Sequence, residues 1–97
     1  TGGIIIYTPS VELGSKTVVV AHNPTTGEKE YIEFGIIDNG TDVYHTEYGN
    51  NRTGQQLIIP TFEVTGDNKV KINFELGASI GTTQTVNITL TSQITKK

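Results

Sequence analysis

Apolar and polar side chains alternate with a period of two through most of this chain. Val70, Ile72, Phe74 and Leu76 alternate with Lys69, Lys71, Asn73 and Glu75. Val86, Ile88 and Leu90 alternate with Asn87, Thr89 and Thr91. That period describes strands with one buried face and one solvated face. The whole pattern predicts seven strands: Ile4–Thr8, Lys16–His22, Lys29–Asp38, Thr41–Tyr48, Gln55–Val64, Lys69–Leu76 and Gln84–Ile94. The first, within residues 1–8, reads as a short N-terminal strand or arm. Pro9 follows it, Asn23-Pro24 initiates a turn after the second, and Pro60 marks the fifth as an edge strand or a bulge.

Two turns are specific enough to set register. Asn39-Gly40 favours a two-residue type I′ hairpin. That loop places Asp38 opposite Thr41, Ile36 opposite Val43, Phe34 opposite His45 and Ile32 opposite Glu47. On the other face Gly35 meets Tyr44, whose ring covers the bare glycine backbone, and Tyr31 meets Tyr48. Between the fifth and sixth strands, Phe62 and Val64 share a face with Val70 and Ile72 only if the loop has an odd number of residues. Gly66-Asp67-Asn68 satisfies this, with Asn68 in the left-handed region beside a bulge.

Ile, Val and Thr dominate the composition, and eleven glycines are spread along the chain. β-Branched residues suit pleated, half-buried surfaces. The 97 residues make one domain, 1–97, with a thin core: 34% are hydrophobic, and the aromatics are four Tyr and three Phe. Short strands at regular spacing predict an all-β fold, a seven-stranded antiparallel β-sandwich of immunoglobulin-like type, with a jelly roll as the alternative. There is no Cys and no Trp, so the Cys-Trp-Cys core of true immunoglobulin domains is missing, as are disulfides and thiolate metal sites. The net charge of −3 is scattered, and no basic patch points to nucleic acid. The apolar runs Ile4–Tyr7 and Val18–Ala21 are too short for a membrane-crossing helix. The chain opens at Thr1 and has no methionine, as expected of a processed, excised or partial chain.

Candidate chemistry is sparse. His45 and Glu47 share a strand face and are placed to pair, but no third group or oxyanion donor accompanies them. His22 and His45 lack a clear third zinc ligand. Asp38–Asp42 resembles a calcium loop in composition only, and turn chemistry accounts for it, as it does for Asp67-Asn68. Three Asn-X-Thr sequons start at Asn39, Asn51 and Asn87, while Pro24 excludes the one at Asn23. No catalytic, cofactor or metal residue is assigned. The one surface feature singled out is Tyr31, Tyr44 and Tyr48, placed together on the face opposite Phe34 and Ile36. It suits a binding patch or a subunit interface, since Tyr offers large area at low entropic cost. Cross-strand pairing that stiffens the ribbon explains it equally well.

The run Tyr31–Gly49, then Thr61-Phe62-Glu63-Val64, then Asp67–Phe74, and the Thr/Val-rich strand Thr85–Thr91 together resemble small β-domains of virion structural proteins from tailed phages of marine bacteria and cyanobacteria. The resemblance leaves residues 1–28 unmatched. It departs at Asn39, where the family often has Asp or Gly, and over Arg52–Ile59. It implies no catalytic residues. It implies a non-enzymatic building block of a virion (capsid decoration, neck, tail, baseplate or fibre) that contacts other virion proteins or copies of itself, as a homo-oligomer within an assembly. No cofactor, nucleic acid or membrane is expected as a partner. The rival readings are a secreted or cell-surface immunoglobulin-like adhesion or filament module, favoured by the sequons and by the N-terminal Ile run as an exchangeable strand, and a carbohydrate-binding module using the tyrosine face.

Overall fold

The computed structural model describes residues 3–78, 80 and 84–97; Thr1 and Gly2 of the expected N-terminal arm lie outside them. Seven strands form in chain order: β1 Gly3–Tyr7, β2 Glu12–His22, β3 Lys29–Asp38, β4 Val43–Arg52, β5 Ile58–Val64, β6 Val70–Leu76 and β7 Asn87–Lys96. They make two antiparallel sheets, one of four strands in the order β4-β3-β2-β7 and one of three in the order β1-β6-β5. The fold is an all-β, seven-stranded antiparallel sandwich. It shares the three-plus-four division of an immunoglobulin constant domain, but the order within each sheet differs.

The alternation sorts side chains as expected on the central strands. Thr17, Val19 and Ala21 of β2, Ile32, Phe34 and Ile36 of β3, and Val70, Ile72 and Phe74 of β6 are buried together with Tyr7, Leu57, Ile58 and Ile80. Ser15, Thr17 and Ser92 carry hydroxyls into this layer and satisfy them mutually, at 2.9 Å between Ser15 and Thr17 and 2.8 Å between Thr17 and Ser92. The three-stranded sheet covers β2 and β3 and leaves β4 and β7 overhanging. The inner-face side chains of β7, namely Ile88, Leu90, Ser92 and Ile94, are half-buried, and His45 and Glu47 of β4 are exposed.

The expected loop between β5 and β6 forms. Thr65 and Lys69 close it through a 2.9 Å backbone bond around Gly66-Asp67-Asn68, with Asn68 at φ +60°. Phe62 faces Ile72 and Val64 faces Val70, in a ladder that runs without a register shift. Pro60 sits on β5, an edge strand, where its missing N–H costs no ladder bond.

The β3–β4 turn is longer than the two-residue loop expected. Asp38 pairs with Val43, Ile36 with His45 and Phe34 with Glu47, so residues 39–42 form a four-residue loop. Asn39 Oδ1 accepts from the N–H groups of Thr41 (2.9 Å) and Asp42 (2.7 Å), and Asp38 Oδ2 accepts from that of Gly40 (2.8 Å). Side-chain capping by Asn39 replaces the left-handed backbone that a type I′ turn demands there; only Gly40 has positive φ, at +91°. The slip is two residues, so every side chain keeps its face. A bulge then intervenes: Phe34 pairs with Glu47 but Glu33 with Gly49, which leaves Tyr48 as the extra residue. The slip alone sets Gly35 opposite Thr46 rather than Tyr44, and slip and bulge together set Tyr31 opposite Asn51 rather than Tyr48.

Among the described residues one charged group lies inside the sandwich. Glu30 is in phase with Ile32, Phe34 and Ile36, and its side chain is fully buried. Oε1 accepts from the backbone N–H groups of Leu57 (2.8 Å) and Ile58 (3.2 Å), and Oε2 accepts from Arg52 Nε at 2.7 Å. These bonds seat the segment that carries the chain from β4 in one sheet to β5 in the other. Removing the carboxylate leaves two inward-facing backbone donors and the guanidinium unpartnered. Glu30→Ala is therefore expected to destabilise the fold by about 3–5 kcal/mol in urea denaturation.

Tyr7 supplies a pH signature. Its ring is buried and its hydroxyl donates to Asp38 Oδ1 at 2.6 Å. Burial first, then the hydrogen bond and charge of Asp38, hold its ionisation well above the ordinary value of 10.0. The folded state keeps the proton more tightly than the unfolded chain. The contribution is thus complete below pH 10 and is lost as pH rises towards the folded pKa. In a spectrophotometric titration one tyrosine component should appear well above pH 10, and Tyr7→Phe should remove it.

Candidate functional site

The outer face of the four-stranded sheet carries the most distinctive surface. Inward Phe34 and Ile36 turn Gly35 and Ile37 outward on β3, and the same parity turns Tyr44 and Thr46 outward on β4. An open cleft of about 850 Å³ lies over this corner. Leu13, Ile37, Tyr44 and Tyr48 form its apolar walls, and Lys16, Glu33, Thr46 and Thr95 add polar groups. The apolar walls are solvent-facing: Leu13 is 52% exposed, Ile37 59%, Tyr44 53% and Tyr48 67%.

Two glycines shape the floor. Tyr48 lies across Gly35, where a Cβ would come within 2.7 Å of its hydroxyl oxygen and 2.8 Å of its ring. A tyrosine does cover the strand glycine, but the slip at the turn moves Tyr44 away from it and the covering ring is that of Tyr48, the bulge residue. At Gly14 a Cβ would meet the backbone carbonyl oxygen of Ile36 at 2.6 Å. Tyr44 leans towards the turn, and its hydroxyl accepts from Asn39 Nδ2 at 3.1 Å.

Tyr31 lies on the same face but outside the cleft lining. Its hydroxyl donates to Glu33 Oε2 at 3.1 Å, and Lys16 Nζ pairs with Glu33 Oε1, also at 3.1 Å. The Lys16 bond and then the Tyr31 bond hold the Glu33 carboxyl below its usual range. Of the three tyrosines, then, the structure brings Tyr44 and Tyr48 to one cleft and sets Tyr31 beyond an ion pair. Leu13 and Ile37 were missed by sequence reasoning. Ile37 was legible, because it follows Gly35 in the outward phase of a predicted strand; Leu13 lies before the predicted start of the second strand.

Compared with family models, curated proteins and solved structures, the chain matches none.

His45 packs with Phe34 and Phe62, with ring centroids at 5.8 and 4.5 Å, and makes no bond to Glu47. Glu47 accepts instead from Asn50 Nδ2, at 3.4 Å. The aromatic trio explains the departure, since Phe62 of the facing sheet holds the imidazole by stacking. His22 pairs with Lys29 and His45 with Ile36, at opposite ends of β3. Among the described residues no three His, Cys, Asp or Glu side chains gather as a metal site. The sequon residues Asn39, Asn51 and Asn87 are exposed, with Asn39 engaged by its turn.

The two floor glycines predict a contrast. Gly14→Ala drives a methyl into a backbone carbonyl and should cost roughly 1–3 kcal/mol. Gly35→Ala meets only a mobile, exposed ring and should cost less, while changing the ring chemical shifts of Tyr48. Chemical denaturation and NMR of the two variants check both halves.

Proposed function

We propose that this chain is a non-catalytic building block of a larger assembly, and that the outer face of β3 and β4 is a surface through which it contacts a neighbouring protein. The observation that carries this reading is the grouping of Leu13, Ile37, Tyr44 and Tyr48 around one open cleft. Apolar side chains scattered singly are ordinary on a soluble surface, whereas a contiguous set rimmed by polar groups marks an interaction site. Tyrosines supply contact area with few rotamers to freeze, and the Lys16–Glu33 pair forms a polar rim. The thin core agrees with this reading, since a small domain gains stability from surface it buries against neighbours. The resemblance of Tyr31–Gly49 to virion domains of tailed phages supports a capsid, neck, tail or fibre as the assembly.

A carbohydrate-binding role is the second reading, favoured by two tyrosines beside hydrogen-bonding groups in an open cleft. Electron microscopy of the native assembly containing the chain discriminates the two. The building-block reading expects many symmetric copies with Tyr44 and Tyr48 covered by protein. A bare tyrosine face in the assembly overturns the proposed contact, and glycan-array binding that is lost in Tyr48→Ala moves the assignment to carbohydrate.

A further inference from the structure

The four sheet edges of this sandwich are not treated alike. β1 is five residues long and its register shifts between Ile5 and Tyr7. β5 carries Pro60 and Glu63. β4 carries the Tyr48 bulge, Glu47 and Arg52. Short length, proline, charge and bulges are the devices that keep an edge strand from pairing with another chain. β7 has none of them from Asn87 to Thr95: nine consecutive residues with no charge, proline or glycine. Its one irregularity against β2 lies at the far end, between Glu12 and Gly14. On its other side β7 has no neighbour in the sheet among the described residues.

The side chains beneath this edge tell the same story. Both outer strands of the four-stranded sheet overhang the narrower one. On β4 the overhanging inner face is polar beyond Val43, with His45, Glu47, Asn50 and Arg52. On β7 it is apolar except for Ser92, with Ile88, Leu90 and Ile94 half-buried at the rim of the core. An unprotected backbone edge thus coincides with an incompletely covered apolar row.

We propose that β7 is a self-association edge, pairing antiparallel with β7 of a second copy about a two-fold axis to join two four-stranded sheets into one of eight. A second copy is the occupant because an edge of this length is matched by a partner that itself presents a long, unguarded edge, and this chain carries one. A two-fold axis sets the strand against its own equivalent, so each free donor row meets an acceptor row. Antiparallel pairing also keeps Lys96 and Lys97 of the two copies at opposite ends of the ribbon, about 30 Å apart; parallel pairing would bring them together. Outward Thr89, Thr91 and Gln93 become cross-strand pairs, and the Ile88, Leu90 and Ile94 rows of the two copies become adjacent. This surface meets the tyrosine cleft only at Thr95, and the variants below alter one without touching the other.

Analytical ultracentrifugation over a concentration series tests it, with hydrogen exchange along β7 as the local readout. The wild-type chain should form a concentration-dependent dimer, with slowed exchange in β7 on dimerisation. The triple variant Thr89→Lys/Thr91→Lys/Gln93→Lys puts like charges across every antiparallel register centred between residues 89 and 93. It changes only exposed side chains, so it should remain folded by circular dichroism and sediment as a monomer. Ile37→Glu/Tyr48→Ala, which alters the tyrosine cleft, should leave the dimer intact. A wild-type monomer at NMR concentrations overturns the proposal. So does a dimer that survives the lysine substitutions, or one that is abolished by the cleft variant alone.

Discussion

A carboxylate buried between two sheets governs how this chain crosses from one to the other. β4 ends at Arg52 in the four-stranded sheet and β5 begins at Ile58 in the three-stranded one. A crossing segment at the core rim has backbone donors that belong to neither ladder, and such donors are costly if left bare. Glu30 gives one oxygen to Leu57 and Ile58 and the other to Arg52, so a single side chain satisfies both the donors and its own charge. Glu28, two residues earlier, extends the clamp by accepting from the backbone N–H of Gln55 at 2.9 Å. Among the described residues no buried side-chain nitrogen or oxygen lacks a partner.

That clamp connects the interior to the functional surface through β3. The strand presents Glu30, Ile32, Phe34 and Ile36 to the core and Tyr31, Glu33, Gly35 and Ile37 to the outside. Anchoring the inner set holds the outer set in place, so the tyrosine face rests on a rigid strand rather than on a mobile loop. The bulge in β4 does the rest. By inserting Tyr48 as an unpaired residue it swings that ring over Gly35, where a flat glycine backbone accepts it.

The unequal width of the two sheets explains why surface apolarity appears where it does. A three-stranded layer cannot cover four strands, so two strands overhang. The β4 side is finished with polar residues, and His45 lies against Phe62 of the opposite sheet. The β7 side is finished with isoleucine and leucine on the inner face and threonines on the outer. A small sandwich with little core to spare leaves such apolar rows at its margins, where contact with another chain would complete their burial.

The sequence by itself determined which side chains face inward on nearly every strand, because parity is local: neighbouring residues of a strand must point to opposite faces. It likewise determined the loop at Gly66–Asn68 and the common face of Tyr31, Tyr44 and Tyr48, and it narrowed Pro60 to an edge strand or a bulge, between which the sheet order chose the edge. Glu30 was legible too, as a charge in phase with Ile32, Phe34 and Ile36, but its partners were not, since Leu57 and Ile58 approach it only through the sheet-to-sheet crossing. Tertiary structure alone decided the strand order, the two-residue slip at Asn39 that moved Tyr44 off Gly35, the bulge at Tyr48, and the half-covered state of β7. Each of these depends on contacts between residues distant in the chain, or on a side chain competing with backbone for the same hydrogen bond, and neither leaves a periodic trace in the sequence.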